Sequence, residues 1–354
     1  MPHPVHKSIK VQDIAREAGV SVATVSAALH NTGRVGPVQR KRIQAIAQRL
    51  RYRPQLAARI LRSRRKHRLG FIVAEPIDPT RISELDSTAP FLTSFVARCE
   101  QLDLGYNIEF PGARLSDPHF DGPEVLLSGL VDGVITVGYL GPAINWFQEH
   151  QPRYPWVSIY EPAEHAVLSD IGAGIHWAVE HLVSLGHRRI GYVGNRSPYS
   201  LHQAGYDGFL HAANDTAIDV AGERWIRLEP LTAWHEDMTR QAASARELLQ
   251  VAPRPTAIVC QSMLWARCVC YAAATMGIAI PTDLSVIGYG PPSHAENSPP
   301  LLTSIEPAYQ EIINVAVAML GSQLDGPASE QKLVAVKPRL VHRESVASPG
   351  TLRL

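Results

Sequence analysis

The chain has 354 residues, 45% hydrophobic and 19% charged, with a formal net charge of +1: an ordinary globular composition, long enough for two or three units with sizeable cores. The balance hides a gradient, because residues 1–68 hold 16 Lys and Arg against two acids, Asp13 and Glu17, leaving 18 basic and 31 acidic residues beyond. Nowhere do about 18 apolar residues run uninterrupted, and residues 1–30 lack the apolar stretch of a signal peptide, so the sequence argues against membrane spanning and secretion and for a cytoplasmic protein.

A basic head on an acidic body suggests a head that binds a polyanion. Within it, Val11, Ile14, Ala15 and Ala18 fall at helical spacing, Gly19 interrupts, and Val22, Val25 and Leu29 follow behind Ser21. The pattern predicts helix, tight turn, helix, with Ser21 as N-cap of the second. Gly36-Pro37 opens a third periodic stretch that places Ile43, Ile46, Ala47 and Leu50 on one stripe. Arg34, Arg40, Lys41, Arg42 and Arg49 fall on its exposed faces, a distribution suited to phosphates flanking a major groove. Residues 55–62 form a short helix-capable run that ends in a basic segment; taken alone, this is a basic linker.

From residue 69 the texture changes to short apolar runs (69–74, 134–137, 156–160, 190–193, 257–260 and 285–289) alternating with amphipathic segments. Such alternation predicts an α/β body with parallel sheets, whose ligands bind beyond the C-terminal strand ends. The four cysteines, Cys99, Cys260, Cys268 and Cys270, form no CxxC pair and read as free thiols. His187, flanked by arginines, fits a structural place at a helix-to-strand turn better than a catalytic one. No GxSxG, HExxH, Walker loop or ligand-spaced His/Cys cluster occurs, so neither an enzyme nor a cofactor is implied.

The ordered run Asp13-Ile14-Ala15-Arg16-Glu17-Ala18-Gly19-Val20-Ser21-Val22-Ala23-Thr24-Val25-Ser26, followed by Tyr52-Arg53-Pro54, resembles the head-piece of the lactose-repressor and galactose-repressor family. Segments of the body resemble the same family: Val131-Asp132-Gly133-Val134-Ile135, Leu185-Gly186-His187-Arg188-Arg189-Ile190, Ile280-Pro281-Thr282-Asp283-Leu284-Ser285-Val286-Ile287-Gly288-Tyr289 and Pro299-Pro300-Leu301-Leu302-Thr303-Ser304-Ile305. The resemblance implies an all-α helix-turn-helix head (1–53), a hinge helix and linker (54–68), and an α/β, Rossmann-like, two-lobed periplasmic-binding-protein-like effector domain. Its first lobe is expected to be 69–167 with 303–328 and its second 168–302 with 329–345, joined by three crossovers and followed by a tail, 346–354.

In the head, the resemblance implies that Ser21, Thr24 and Ser26 dock the recognition helix and that Val22 and Ala23 take the base-reading positions. Ala27 stands where most members carry arginine, removing a guanine reader worth roughly 1–3 kcal/mol of discrimination. Contact of Val22 and Ala23 with thymine methyls, with His30 and Arg34 nearby, is the expected replacement. In the hinge, Leu61 matches a leucine that wedges into the minor groove, Ala58 the small residue at the hinge contact, and Arg59 lies between them. The implied partners are double-stranded operator DNA, a second copy of the chain and a small-molecule effector of carbohydrate-related or unknown kind.

The effector positions depart from the family pattern. His202 stands where relatives usually have arginine, Ser262-Met263 where they have Asn-Asp, and Gly290 where they have aspartate. Trp234, Trp265, Tyr160 and Tyr139 are the expected aromatic walls, and the stretch 78–89 looks longer and more polar than usual. Two readings stay open: an effector less polar or differently arranged than a simple hexose, or a cleft that binds nothing in a constitutively DNA-competent protein. A solute-binding protein is the remaining alternative, with no use for residues 1–68.

Overall fold

Gly19 has φ +65°, a left-handed conformation that a side chain resists, and the space beside it is open, so the requirement is one of backbone conformation alone. It turns the chain between α1 (Val11–Ala18) and α2 (Val22–Leu29), where the Val20 N–H donates to the Ala15 carbonyl at 3.0 Å. Pro37 then begins α3 (Pro37–Arg49), at a helix position that needs no N–H partner. Ile14, Val25, Ala28 and Ile43 are fully enclosed between the three helices, with Ala15, Ala18, Ile46 and Ala47 close around them. Arg49 of α3 pairs with Glu17 of α1.

This computed structural model describes residues 11–29, 35–50, 67–74, 88–151, 153–216, 218, 224–230, 238–297, 299–325 and 332–350. The chain divides between His67 and Arg68 into two compact units, the head and the body.

The body contains two six-stranded sheets. In the first lobe β1 (Arg68–Ala74), β2 (Gly105–Glu109), β3 (Gly133–Gly138), β4 (Trp156–Ile159), β5 (His165–Ser169) and β11 (Lys332–Val336) run parallel in the order β11-β5-β4-β3-β1-β2. Its central strands are buried on both faces, which is why they read as unbroken apolar runs. One face packs against α4 (Ala89–Gln101) and α12 (Tyr309–Asp325) through Phe71, Phe91, Phe95 and Leu320; the other is closed by Val125, Phe147 and Trp156.

The second lobe orders β12 (Arg339–Val341), β10 (Thr303–Glu306), β9 (Ser285–Tyr289), β8 (Ala257–Cys260), β6 (Ile190–Arg196) and β7 (Ile226–Pro230), with β12 alone antiparallel to its neighbour. The residues of α7 (Ile171–Ser184) and α8 (Ser200–Asp215) cover one face, and those of α9 (Met238–Gln250) and α10 (Met263–Thr275) the other. All four cysteines are free.

The chain crosses between lobes three times: at Asp170, after Glu306, and at Lys337-Pro338. All three crossings lie later in the chain than the sequence reading placed them, the first because residues 168–169 still pair with β11. Residues 303–306 belong to the second lobe, where Ser304 pairs with Gly288, and 332–336 belong to the first, where Val334 pairs with Val167. Residues 346–350 are no loose tail, at least up to Ala347, whose N–H donates to the Ser285 hydroxyl and whose carbonyl lies 2.8 Å from His187 Nε2. His187 is buried between α7 and β6, with Nδ1 2.9 Å from the Thr256 hydroxyl, the structural place expected of it.

The helices α7 and α8 cross backbone on backbone. A Cβ on Gly208 would lie 2.5 Å from the Gly172 Cα and carbonyl oxygen, where no flexible side chain can give way. Gly208→Ala should therefore destabilise the body by about 1–3 kcal/mol, as overpacking typically does, read as a lowered midpoint in thermal or urea unfolding. An unchanged midpoint would show that the helices separate freely.

Candidate functional site

The head presents the first turn of α2 through its cap. The Ser21 hydroxyl accepts from the Thr24 N–H at 3.1 Å and lies 2.9 Å from Thr24 Oγ1, fixing both residues at the helix start. Ser21 is exposed, whereas Val22, Thr24 and Ala27 are half-buried. Val22 leans on the head's core, so only part of it faces outward. Ala23 and Ser26 lie on the same helix. Arg16, Lys41, Arg42 and Arg49 are exposed cations, and the Arg40 guanidinium approaches the Val35 carbonyl at 3.5 Å. His30, Arg34, Ala58, Arg59 and Leu61 lie outside the described residues, as does Trp234.

In the body, the C-terminal strand ends of the two sheets meet. Tyr160, just past β4, has φ +78°, a rare conformation for a residue with a bulky side chain. It brings the phenol, buried and edge-on to Phe91, to within 3.4 Å of the hydroxyl of Tyr289 at the end of β9. Ser200, at the start of α8, donates its hydroxyl to the Tyr160 carbonyl at 2.7 Å. Tyr139, past the end of β3, faces Tyr199 with ring centroids 5.9 Å apart. The interlobe cleft is thus an aromatic seam, and burial raises the pKa of the phenols of Tyr139, Tyr160 and Tyr289.

The second lobe's wall is polar, and its Gln261 amide is engaged within the protein. Gln261, one residue past β8, accepts from the Asn195 N–H at 2.7 Å and donates to the Tyr192 hydroxyl at 3.1 Å and to the His202 carbonyl at 2.9 Å. Asn195 in turn accepts from the Trp265 indole N–H at 2.8 Å. Trp265 is therefore not the pocket wall expected of it: it is completely enclosed in the lobe's core, where an indole must find a buried partner. Ser262 caps α10, its hydroxyl accepting from the Trp265 N–H at 3.2 Å.

Gly290 has φ +145°, a backbone conformation that L side chains rarely adopt, and a Cβ there would sit 3.2 Å from Met263 Cγ, so an aspartate would be strained in this turn. His202 points its Nδ1 at the Ser197 hydroxyl, 2.7 Å away, and its ring lies 5.2 Å from that of Tyr199. The structure thus brings Tyr160 and His202 together around Tyr199, and it adds Tyr289, Tyr199, Gln261, Asn195 and Glu161, which sequence reasoning missed. The available signal was positional, since Gln261 follows directly on a buried run and Tyr289 ends one.

Burial lowers the pKa of the His202 imidazole to about 4 and also lowers His187 and His181, the latter further through the charges of His342 and His187. These bases resist a proton that the unfolded chain takes near 6.5, so the stability tied to their neutral form is complete above that pH and is lost as pH falls toward 4. The body's thermal midpoint should fall between pH 7 and 4.5, and fall less steeply in His202→Gln. Equal slopes in the two proteins would contradict this assignment.

Residues 10–55 match the bacterial regulatory proteins of the lacI family, and residues 179–346 match a periplasmic binding protein-like domain. The HTH-type transcriptional repressor PurR of Salmonella typhimurium (strain LT2) is 28% identical over 353 residues, covering 95% of this chain and 96% of that protein. The fold is similar to that of the lac repressor dimer bound to operator and the anti-inducer ONPF, with TM-score 0.74, 20% identity, and coverage of 96% of this chain and 100% of that one. It is also similar to a LacI-family regulatory protein from Chloroflexus aggregans, with TM-score 0.66, 23% identity, and coverage of 79% and 99%. The capped helix-turn-helix and the two-lobed body thus match in one chain and in one order: the head matches the lacI family of bacterial regulatory proteins and the body a periplasmic binding protein-like domain.

Proposed function

We propose that this chain is a sequence-specific DNA-binding transcriptional regulator, a repressor, that binds a near-palindromic operator as a homodimer and answers to a small molecule in its interlobe cleft. One observation carries the reading: a helix-turn-helix with a Ser21-capped second helix, inside a segment holding 16 basic residues against two acids, precedes a two-lobed body with an aromatic cleft. The similar proteins, a transcriptional repressor and a repressor dimer bound to its operator, support both DNA binding and dimerisation. Two heads related by a dimer axis would read two half-sites, and a hinge built on Ala58, Arg59 and Leu61 would fold on the operator.

The small, apolar Val22, Ala23 and Ala27 leave the readout to methyl contacts and to DNA shape rather than to bidentate hydrogen bonds. Occupancy of the cleft changes duplex affinity only through its differential affinity for two lobe arrangements.

A second reading, a regulator with no effector, is favoured by the second lobe's wall, where the Gln261 amide is engaged at both ends within the protein and Asn195 Oδ1 is taken by the Trp265 indole. Selection of duplexes from a random library by the purified full chain, with and without a pool of cell metabolites, separates the readings. We expect a near-palindrome whose enrichment changes with the pool. A palindrome indifferent to the pool would favour the effector-free reading, and no enriched sequence would defeat the regulator reading.

A further inference from the structure

Glu161 follows Tyr160 at the end of β4, and its place is unusual for an acid. Its side chain is 7% exposed and its Oε1 has no hydrogen-bond partner. A buried carboxylate without a partner is strongly unfavourable, and native interiors keep such groups for a reason. Glu161 contributes nothing visible to the fold: no cation among the described residues pairs with it, unlike Glu306, which Arg343 holds at 2.8 Å.

Its surroundings indicate what the missing partner is. Glu161 lies close enough to Tyr139 for its charge to act on that phenol, and Tyr139 faces Tyr199 of the other lobe at 5.9 Å. Tyr199 lies 6.4 Å from Tyr160, so the acid borders the aromatic seam between the lobes. Across the seam, the Gln261 amide is already engaged with the protein, and Asn195 Oδ1 with the Trp265 indole. A hexose needs donors and acceptors arrayed around its hydroxyls, whereas this wall offers ring faces and one unpaired acidic acceptor. Aromatic faces and a carboxylate together attract a cation that carries N–H groups.

We propose that the cleft takes a small organic cation, an amine or amidine on a flat apolar ring, with Glu161 accepting its N–H groups and the rings of Tyr139 and Tyr199 flanking it. Burial pushes the Glu161 carboxyl up to about 7, so near neutral pH a cation meets a group poised to ionise. The inference rests on the regulator reading, since it names the ligand class of that protein's cleft.

Calorimetric titration of the full-length wild type with benzamidine and with its neutral near-isostere benzamide provides the test. We expect benzamidine to bind at least tenfold more tightly than benzamide, and Glu161→Gln to abolish that preference. Equal affinities, no heat from benzamidine, or an unchanged preference in Glu161→Gln would overturn the proposal. The wild-type comparison stands without any variant, so a misfolded variant does not rescue or sink it. Wild-type binding to its selected duplex is followed in the same samples. Duplex binding with no cation preference defeats this inference alone, and failure to bind any duplex defeats the regulator reading instead.

Discussion

The body depends on a contact between two phenols. Each lobe has its own sheet and its own apolar layers, so each is held together from within. Among the described residues, what fixes one lobe against the other is three chain crossings, the Ser200 hydroxyl on the Tyr160 carbonyl, the packing of Tyr199 against Tyr139 and Tyr160, and the approach of the Tyr160 and Tyr289 hydroxyls to 3.4 Å. That distance is long for a hydroxyl pair, and so few polar links leave the lobes free to prefer another arrangement when something enters between them. The left-handed backbone at Tyr160 aims this phenol, and its strain is borne at the point where the lobes meet.

The crossings explain how closure is transmitted. Asp170 accepts from the Ala173 N–H at the start of α7 while its own N–H donates to the Val336 carbonyl, tying two crossing strands together. Glu306, at the second crossing, is buried and held by Arg343, which also reaches Ser304 and Glu296. A motion between the lobes would therefore be confined to a few residues beside polar anchors, the arrangement expected of a hinge.

Much of the fold was legible because its strongest signals are local. Gly19, Ser21 and Pro37 announce the head's turns and caps, and the central strands, enclosed on both faces, appear as apolar runs. The edge strands were not legible: every residue of β2 is only half-buried, and β11 exposes Leu333 to 60%, so neither has a run to read. The crossings misled for a different reason, since β10 is buried although Thr303, Ser304 and Glu306 are polar, and its composition does not say which sheet it joins. Trp265 was misread because an indole at a strand-to-helix junction suits core and cleft equally; its partner Asn195 lies 70 residues away. Glu161 left no signal at all, because an acid in a turn normally faces water.

A regulator governed from its cleft must couple the lobe contact to DNA binding, although Tyr289 belongs to the body and not to the head. Comparing the affinity of the wild type and Tyr289→Phe for the selected duplex tests this directly, because removing one hydroxyl disturbs the lobe contact and no residue of the head. A coupled protein should shift its duplex affinity by about fivefold or more, the lower end of allosteric coupling between sites. Identical affinities, with the variant folded, would mean that the cleft and the DNA-binding head act independently.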